Sequence, residues 1–482
     1  MFSIILITIF MVVMVAVGIW GMRKTSTLGD FFLGGRSIGP WVSAFAYGTT
    51  YFSAVLFIGF AGKLGWGFGL NALWIAAGNS LFGALLAWLV LGRRTRIMTQ
   101  NLDVMTMPEF LQERYGGRYM KFISAMIIFI FLLPYSASVF KGLGHLFEVN
   151  FHISYDIALL IMILITGVYL ILGGYFAITL TDFIQGTVMI FGALAMLFVF
   201  VGKAGGVTES IAAIGQKYGE HITAPTNYLM LASLVFMTSL GTWGLPQMVQ
   251  KFYAVKSETV ITKAAIVTFV FSLIITVTAY FTGAMSHFFY DSVPLVGGKP
   301  AFDRLIPGLL TTHLPEYLMA LILLLVLSAS MSTLSSLVLI SSSSVAIDLY
   351  KGHVNPDISK ERSLVMMRFL SGIFIALSYF IARYEFAIIV TLMSLSWGAV
   401  AGSFMAPYLY GLYWKRTTRY GAAAGMATGL ILSIVLFFYL GPANSPIAAT
   451  IAMIVPFIVV PLVSLVTARP DQALLDRAFD RI

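Results

Sequence analysis

Residues Leu318–Ile340 read LMALILLLVLSASMSTLSSLVLI. An apolar run long enough to cross a bilayer encloses the octet A-S-M-S-T-L-S-S at Ala329–Ser336, and hydrocarbon offers such hydroxyls no partner. At about 100° per residue, Ser328, Ala329, Ser332, Thr333, Ser335 and Ser336 share one face, while Ser330 and Leu334 point elsewhere. Two readings compete for that face. Small residues let membrane helices pack closely, with serines bonding back to their own carbonyls. Alternatively, hydroxyl and carbonyl oxygens form an uncharged cage suited to a weakly held monovalent cation. What the remainder of the chain brings to the face decides between them.

The chain has 482 residues, 59% hydrophobic and 10% charged, with a mean hydropathy of +0.93. A soluble domain carries about 25% charged residues, so this is an all-α polytopic membrane protein. Apolar runs between charge clusters give about 13 transmembrane helices, the first at 2–22 and the last at 446–467. No basic region precedes the first run, so it is expected to span rather than to be a cleaved signal. Cysteine is absent, which excludes disulfides, thiolate metal sites and cysteine catalysis. The net charge of +9 reflects loop bias rather than nucleic-acid binding. With the N-terminus outside, only Lys63, Lys141, Lys203, Lys217, Lys299, Arg304 and Arg383 fall on the outer side; the other 22 of 29 basic residues, Lys251 among them, are cytoplasmic. Lys63 and Lys141 are expected to snorkel from helix ends. This predicts a plasma-membrane protein with the N-terminus outside, the C-terminus and the tail 468–482 cytoplasmic, lipid around it and no obligate protein partner. The six histidines are scattered without metal-ligand spacing. No His/Asp/Glu cluster lies within the spans, which argues against a membrane enzyme.

Two spans look broken. The one at 41–62 holds A-Y-G-T-T-Y-F-S-A (Ala46–Ala54), and the one at 227–247 ends T-S-L-G-T-W-G-L-P-Q (Thr238–Gln247). They lie five spans apart, an odd number, so they cross in opposite directions. Paired Gly/Pro-interrupted segments in matching positions point to the central site of a transporter built from inverted repeats. Here those repeats would be 41–201 and 227–414, with a leading helix at 2–22 and trailing helices over 421–467, all within one transmembrane domain. The first break frees carbonyl oxygens at mid-membrane, and a sodium ion shared with the Ala329, Ser332 and Thr333 face would satisfy both segments.

The sequence resembles the sodium/solute symporter family, which includes sodium-coupled proline, pantothenate, monocarboxylate, sugar and sialic acid carriers. The resemblance rests on FFLGGRSIGPW (Phe31–Trp41), MPEFLQER (Met107–Arg114), GGYFAITLTDFIQG (Gly173–Gly186), GLPQMVQKF (Gly244–Phe252), the octet itself, DLYK (Asp348–Lys351) and GLYWKR (Gly411–Arg416), in family order. It implies a five-plus-five inverted-repeat (LeuT-like) core with discontinuous first and sixth helices, alternating access and sodium coupling. By motif position it implies a first sodium site of Thr49, Phe52 and Ala329 carbonyls with Ser332 and Thr333 hydroxyls. A second sodium site would use Asp182, Ser332, Ser335 and Ser336. In one respect the sequence departs from the proline carriers: Tyr51 stands where they have an aspartate and Val55 where they have a tryptophan, which counts against proline.

Asp182 is notable without the family, as an acid about one turn inside an otherwise uncharged span; a proton could take the place of a cation there. For the solute, residues beside the two breaks are expected to line the site: Tyr51, Ser53, Trp74, Tyr135, Ser136, Trp243 and Gln247. Aromatic walls with a few polar groups fit a small organic solute, an amino acid or monocarboxylate-type acid. The alternatives are a proton-coupled or sugar-type symporter of the same fold, or a channel or sensor.

Overall fold

The computed structural model describes all residues except 1, 24–27, 173–174, 219–226 and 482. Gly173 and Gly174 of the Gly173–Gly186 motif therefore lie outside the described residues. The described chain is helical almost throughout; its one small sheet is a hairpin pairing Leu295–Val296 with Lys299–Pro300. The principal helices are α1 (Phe2–Arg23), α2 (Pro40–Tyr51), α3 (Val55–Asn101), α4 (Arg118–Phe151), α5 (Tyr155–Leu172) and α6 (Tyr175–Lys203). After them come α7 (Tyr228–Leu240), α8 (Pro246–Tyr253), α9 (Thr259–Phe289), α10 (Phe302–His313) and α11 (Glu316–Ser343). The chain ends with α12 (Lys360–Arg383), α13 (Ile389–Tyr413), α14 (Arg419–Leu440) and α15 (Pro442–Val466).

Among the described residues, ten helices are long and apolar enough to cross a membrane, or eleven with the bent pair α7–α8. The 47-residue α3 would measure about 70 Å at 1.5 Å per residue, too long for one crossing of a ~30 Å core. Gly69 interrupts it at φ +54°, a conformation open to glycine.

Both interruptions foreseen in the sequence are present. Between α2 and α3 the backbone turns extended at Phe52 (φ −114°, ψ 124°). Between α7 and α8, Gly241–Gly244 forms a tight turn and Leu245 is extended; Pro246 then opens α8, where its missing N–H is no loss. The two halves are bent by 48°. The broken helices run oppositely: Ile38, just before α2, bridges Val255, just after α8, with the Lys256 amide donating to Ile38 O at 3.0 Å.

Helix α11 lies at the centre. Every residue from Ile322 to Ser343 is buried, and 89% of its apolar window is covered, as is 94% of that of α13, against 28% for α1 and 22% for α14. The first two are therefore core helices and the last two face lipid. Close approach of α3 and α9 depends on glycine: a Cβ on Gly283 would collide with Ala61 O, and one on Gly65 would collide with the Gly283 backbone.

Candidate cation and solute sites

The break in α2 faces the octet on α11. In a continuous helix the Thr50 carbonyl would receive the Ala54 amide. Instead that amide donates to Ser330 Oγ at 3.2 Å, and Thr333 Oγ1 donates to Thr50 O at 3.1 Å. The Thr49 carbonyl accepts from Ser332 Oγ at 2.9 Å and lies 3.3 Å from Thr333 Oγ1. The same two hydroxyls lie 3.0 and 3.1 Å from Ala329 O. At Phe52 the amide of Leu56, which a helix would return to its carbonyl, bonds Ser53 O instead (3.0 Å). The Thr49, Thr50 and Ala329 carbonyls and the Ser332 and Thr333 hydroxyls thus converge without a formal charge, all on buried residues. This donor set suits a hard monovalent cation, toward which the Ser332 and Thr333 hydroxyls would turn their oxygen lone pairs. Among the described residues no group of three or more His, Cys, Asp or Glu could hold a metal.

The packing reading of the octet also has its share. Ser335 Oγ bonds Ser332 O at 2.9 Å, and Ser342, Ser343 and Ser344 likewise bond carbonyls of their own helix. Ser330 corrects the helical-wheel expectation. It points away from the Ser332 face, yet it meets the restart of the broken helix, because α11 is surrounded by protein on every side.

Asp182 on α6 is fully buried, and neither carboxylate oxygen has a hydrogen-bond partner. Lys251, at the end of α8, puts its ammonium 3.5 Å from Asp182 Oδ2 and 3.1 Å from Ser336 Oγ. Ser336 Oγ in turn lies 3.1 Å from Thr50 Oγ1. Asp182 and Ser336 therefore do come together, joined to the first oxygen group through Thr50. The lysine between them corrects the sequence reading, which placed Lys251 in a cytoplasmic loop: it is 1% exposed.

A cavity of about 20 Å³, room for a water or so, lies on the other side of the α2–α3 break. Tyr51, Ser53 and Tyr135 line it, as does Phe52. Tyr51 stacks on Phe52 (4.2 Å between centroids) and donates to Thr238 O at 2.5 Å. Tyr135 meets Trp397 edge-on at 5.8 Å. Asn79, Thr238 and Trp397 also line the cavity and were not anticipated; an amide such as Asn79 in mid-span was a usable signal. Its Oδ1 accepts from Thr238 Oγ1 at 2.7 Å and Ser239 Oγ at 3.1 Å. The other expected residues sit elsewhere. Trp74 is 65% exposed and lines a separate, mostly apolar surface pocket with Phe82, Phe236 and Leu240. Trp243 ties its indole to Phe82 O at 2.9 Å. Ser136 and Gln247 are buried with unpartnered polar atoms, the latter on the first turn of α8.

A family model described as the sodium:solute symporter family matches residues 31–429. The chain belongs to that family. This symporter is 30% identical to a sodium/proline symporter of Haemophilus influenzae, over 99% of this chain and 97% of that protein. It is 32% identical to sodium/proline symporter 2 of Staphylococcus saprophyticus, over 92% of this chain and 87% of the relative. In structure it is similar to a Na+-coupled sialic acid symporter solved substrate-bound and outward-open (TM-score 0.83, 17% identity, 98% and 99% of the two chains). It also resembles a nucleobase-cation-symport-1 family transporter (TM-score 0.56, 15% identity, 93% and 97%). The fold is thus the LeuT-like one, and the protein is a sodium-coupled solute symporter of the plasma membrane, not an enzyme.

Proposed function

We propose that this symporter binds its coupling sodium between Thr49, Phe52 and Ala329 carbonyls and the Ser332 and Thr333 hydroxyls, and carries a small amino acid or monocarboxylate-type acid inward. The observation that carries this reading is the shared break. Thr49 and Thr50 turn their carbonyls to α11, while Phe52 and Ser53, the next residues but one, wall the cavity. A cation that fixes one side of so short a segment orders the other, and the effect is reciprocal: sodium tightens solute binding and solute tightens sodium binding. The cavity is walled by aromatic rings with the amide and hydroxyls of Asn79, Ser53 and Thr238, and none of its lining residues is charged. At about 20 Å³ the cavity has room for a water or so in this conformation, so a solute requires it to widen, and its lining supports a compact, partly apolar one. Backbone N–H groups at the half-helix starts can take its carboxylate. The named relatives transport proline, and L-proline is the first solute to try, although Tyr51 and Val55 depart from the pattern of those carriers.

The inner and outer ends follow from the lysine and arginine bias, with the N-terminus outside, the C-terminus in the cytoplasm, and repeats at 41–201 and 227–414. The test is uptake in proteoliposomes. Ser332→Ala and Thr333→Ala should insert normally and lose sodium-driven accumulation; normal sodium dependence in both variants rejects the site.

A further inference from the structure

Lys251 is a fully buried cation to which the proposed first sodium site gives no role. We infer that its ammonium is a tethered cation standing in the position a second sodium would take, so that this symporter couples to a single sodium. The inference rests on reading Asp182 and Ser336 as a cation position.

Four observations carry it. The Asp182 carboxylate is fully buried with no hydrogen bond to either oxygen, and a charge so placed requires an opposite charge. The Lys251 ammonium supplies one at 3.5 Å and fills its next direction with Ser336 Oγ at 3.1 Å. On another side lies the Tyr175 ring, 5.2 Å from Nζ to its centroid, a face that attracts a cation. Finally, Lys251 sits in the last turn of α8, where helix carbonyls favour positive charge. The carboxylate and hydroxyl oxygens of a cation site are thus satisfied by a group that the chain itself carries. Both contacts are longer than the 2.7–2.9 Å of a tight charge-assisted bond.

The experiment counts sodium ions, using sodium itself as the probe. Radioactive sodium binding is measured at equilibrium on the purified full-length protein, with choline replacing sodium in controls. Wild type and Lys251→Arg should bind one ion with a Hill coefficient of about 1; Lys251→Gln should bind two, with a coefficient approaching 2. The neutral pair Lys251→Gln/Asp182→Asn, which leaves no buried charge behind, should return to one. Lys251→Gln should also melt early in choline and recover in sodium, so its instability alone is informative. A second, Asp182-dependent ion in wild type overturns the inference, as does a Lys251→Gln protein that gains no ion and shows no recovery in sodium. The comparison of the single and double variants reads the Asp182 position directly. It therefore stands even if Ser332→Ala and Thr333→Ala refute the first site.

Discussion

Ser330 holds the amide of Ala54 at 3.2 Å. Through that bond the central helix completes the first turn of α3, while Ser332 and Thr333 complete the last turn of α2. One octet on α11 therefore substitutes for the backbone bonds on both sides of the break. Substituting Ser330 by alanine strands the Ala54 amide without that partner. An unsatisfied buried donor costs roughly 1–3 kcal/mol, so Ser330→Ala should lower the melting temperature of the purified protein and weaken apparent sodium affinity, although Ser330 is not itself a proposed sodium ligand. Unchanged sodium titration with unchanged melting would show that the break is held without it.

Gly283→Ala should be more damaging than its single methyl group suggests. The new Cβ would meet the Ala61 carbonyl of α3, which has no flexible end to move aside. Overpacking of this kind costs about 1–3 kcal/mol or more. Poor recovery in detergent, or a clearly lower melting temperature than that of Gly18→Ala, where nothing stands in the way, is the expected result.

Lys141 on α4 pairs with Asp303 on α10 at 3.0 Å and with Glu385 at 3.4 Å. It also donates to Ala387 O at 3.0 Å, on the link that leads into α13. Rather than snorkelling as its position suggested, Lys141 is buried and clamps three elements together. Lys141→Met should release this clamp. Because the chain has no cysteine, Leu56→Cys provides a unique reporter inside the cavity. Its reaction with a membrane-permeant maleimide should rise roughly tenfold or more in the Lys141→Met background, since breaking a buried pair costs several kcal/mol in the clamped state. An equal rate in both backgrounds would mean that the clamp does not govern access.

Glu385, in the loop between α12 and α13, supplies the pH dependence. Burial alone would raise its pKa, but the bond from His145 (2.9 Å) and the nearby Lys141 ammonium bring it from 4.5 down to about 2. A carboxylate held low stabilises the fold fully above its unfolded value, and loses that contribution as pH falls from about 4.5 through about 2. Melting curves of the wild type should therefore decline over that window more steeply than those of Glu385→Gln. Parallel curves would show that the loop contact contributes nothing to the folded state.

The broken helices were legible because glycine, proline and hydroxyls have no reason to cluster in hydrocarbon. Matching one such cluster to another brings the first break to the Ser332 and Thr333 face, while Thr49 in particular is what the family resemblance implies. Lys251 was not legible. A lysine just past an apolar run ordinarily marks the cytoplasmic surface, and only the bend at Leu245 turns the helix bearing it back into the protein. Trp74 and Trp243 do not line the small cavity: in a chain that is 14% aromatic, neighbouring positions in sequence do not say which ring turns toward it. Ser330 escaped because a single-faced helical wheel presumes a helix with one neighbour.

The 48° bend between α7 and α8 gives the molecule a lever. Lys251 lies six residues beyond Leu245, about 9 Å along the axis, and its side chain lengthens the arm further. A swing of about 10° at that pivot would carry the ammonium roughly 2 Å, enough to part it from Asp182. A modest angular movement of one short helix would thereby weaken a buried ion pair that is joined, through Ser336 and Thr50, to the oxygen group proposed for sodium.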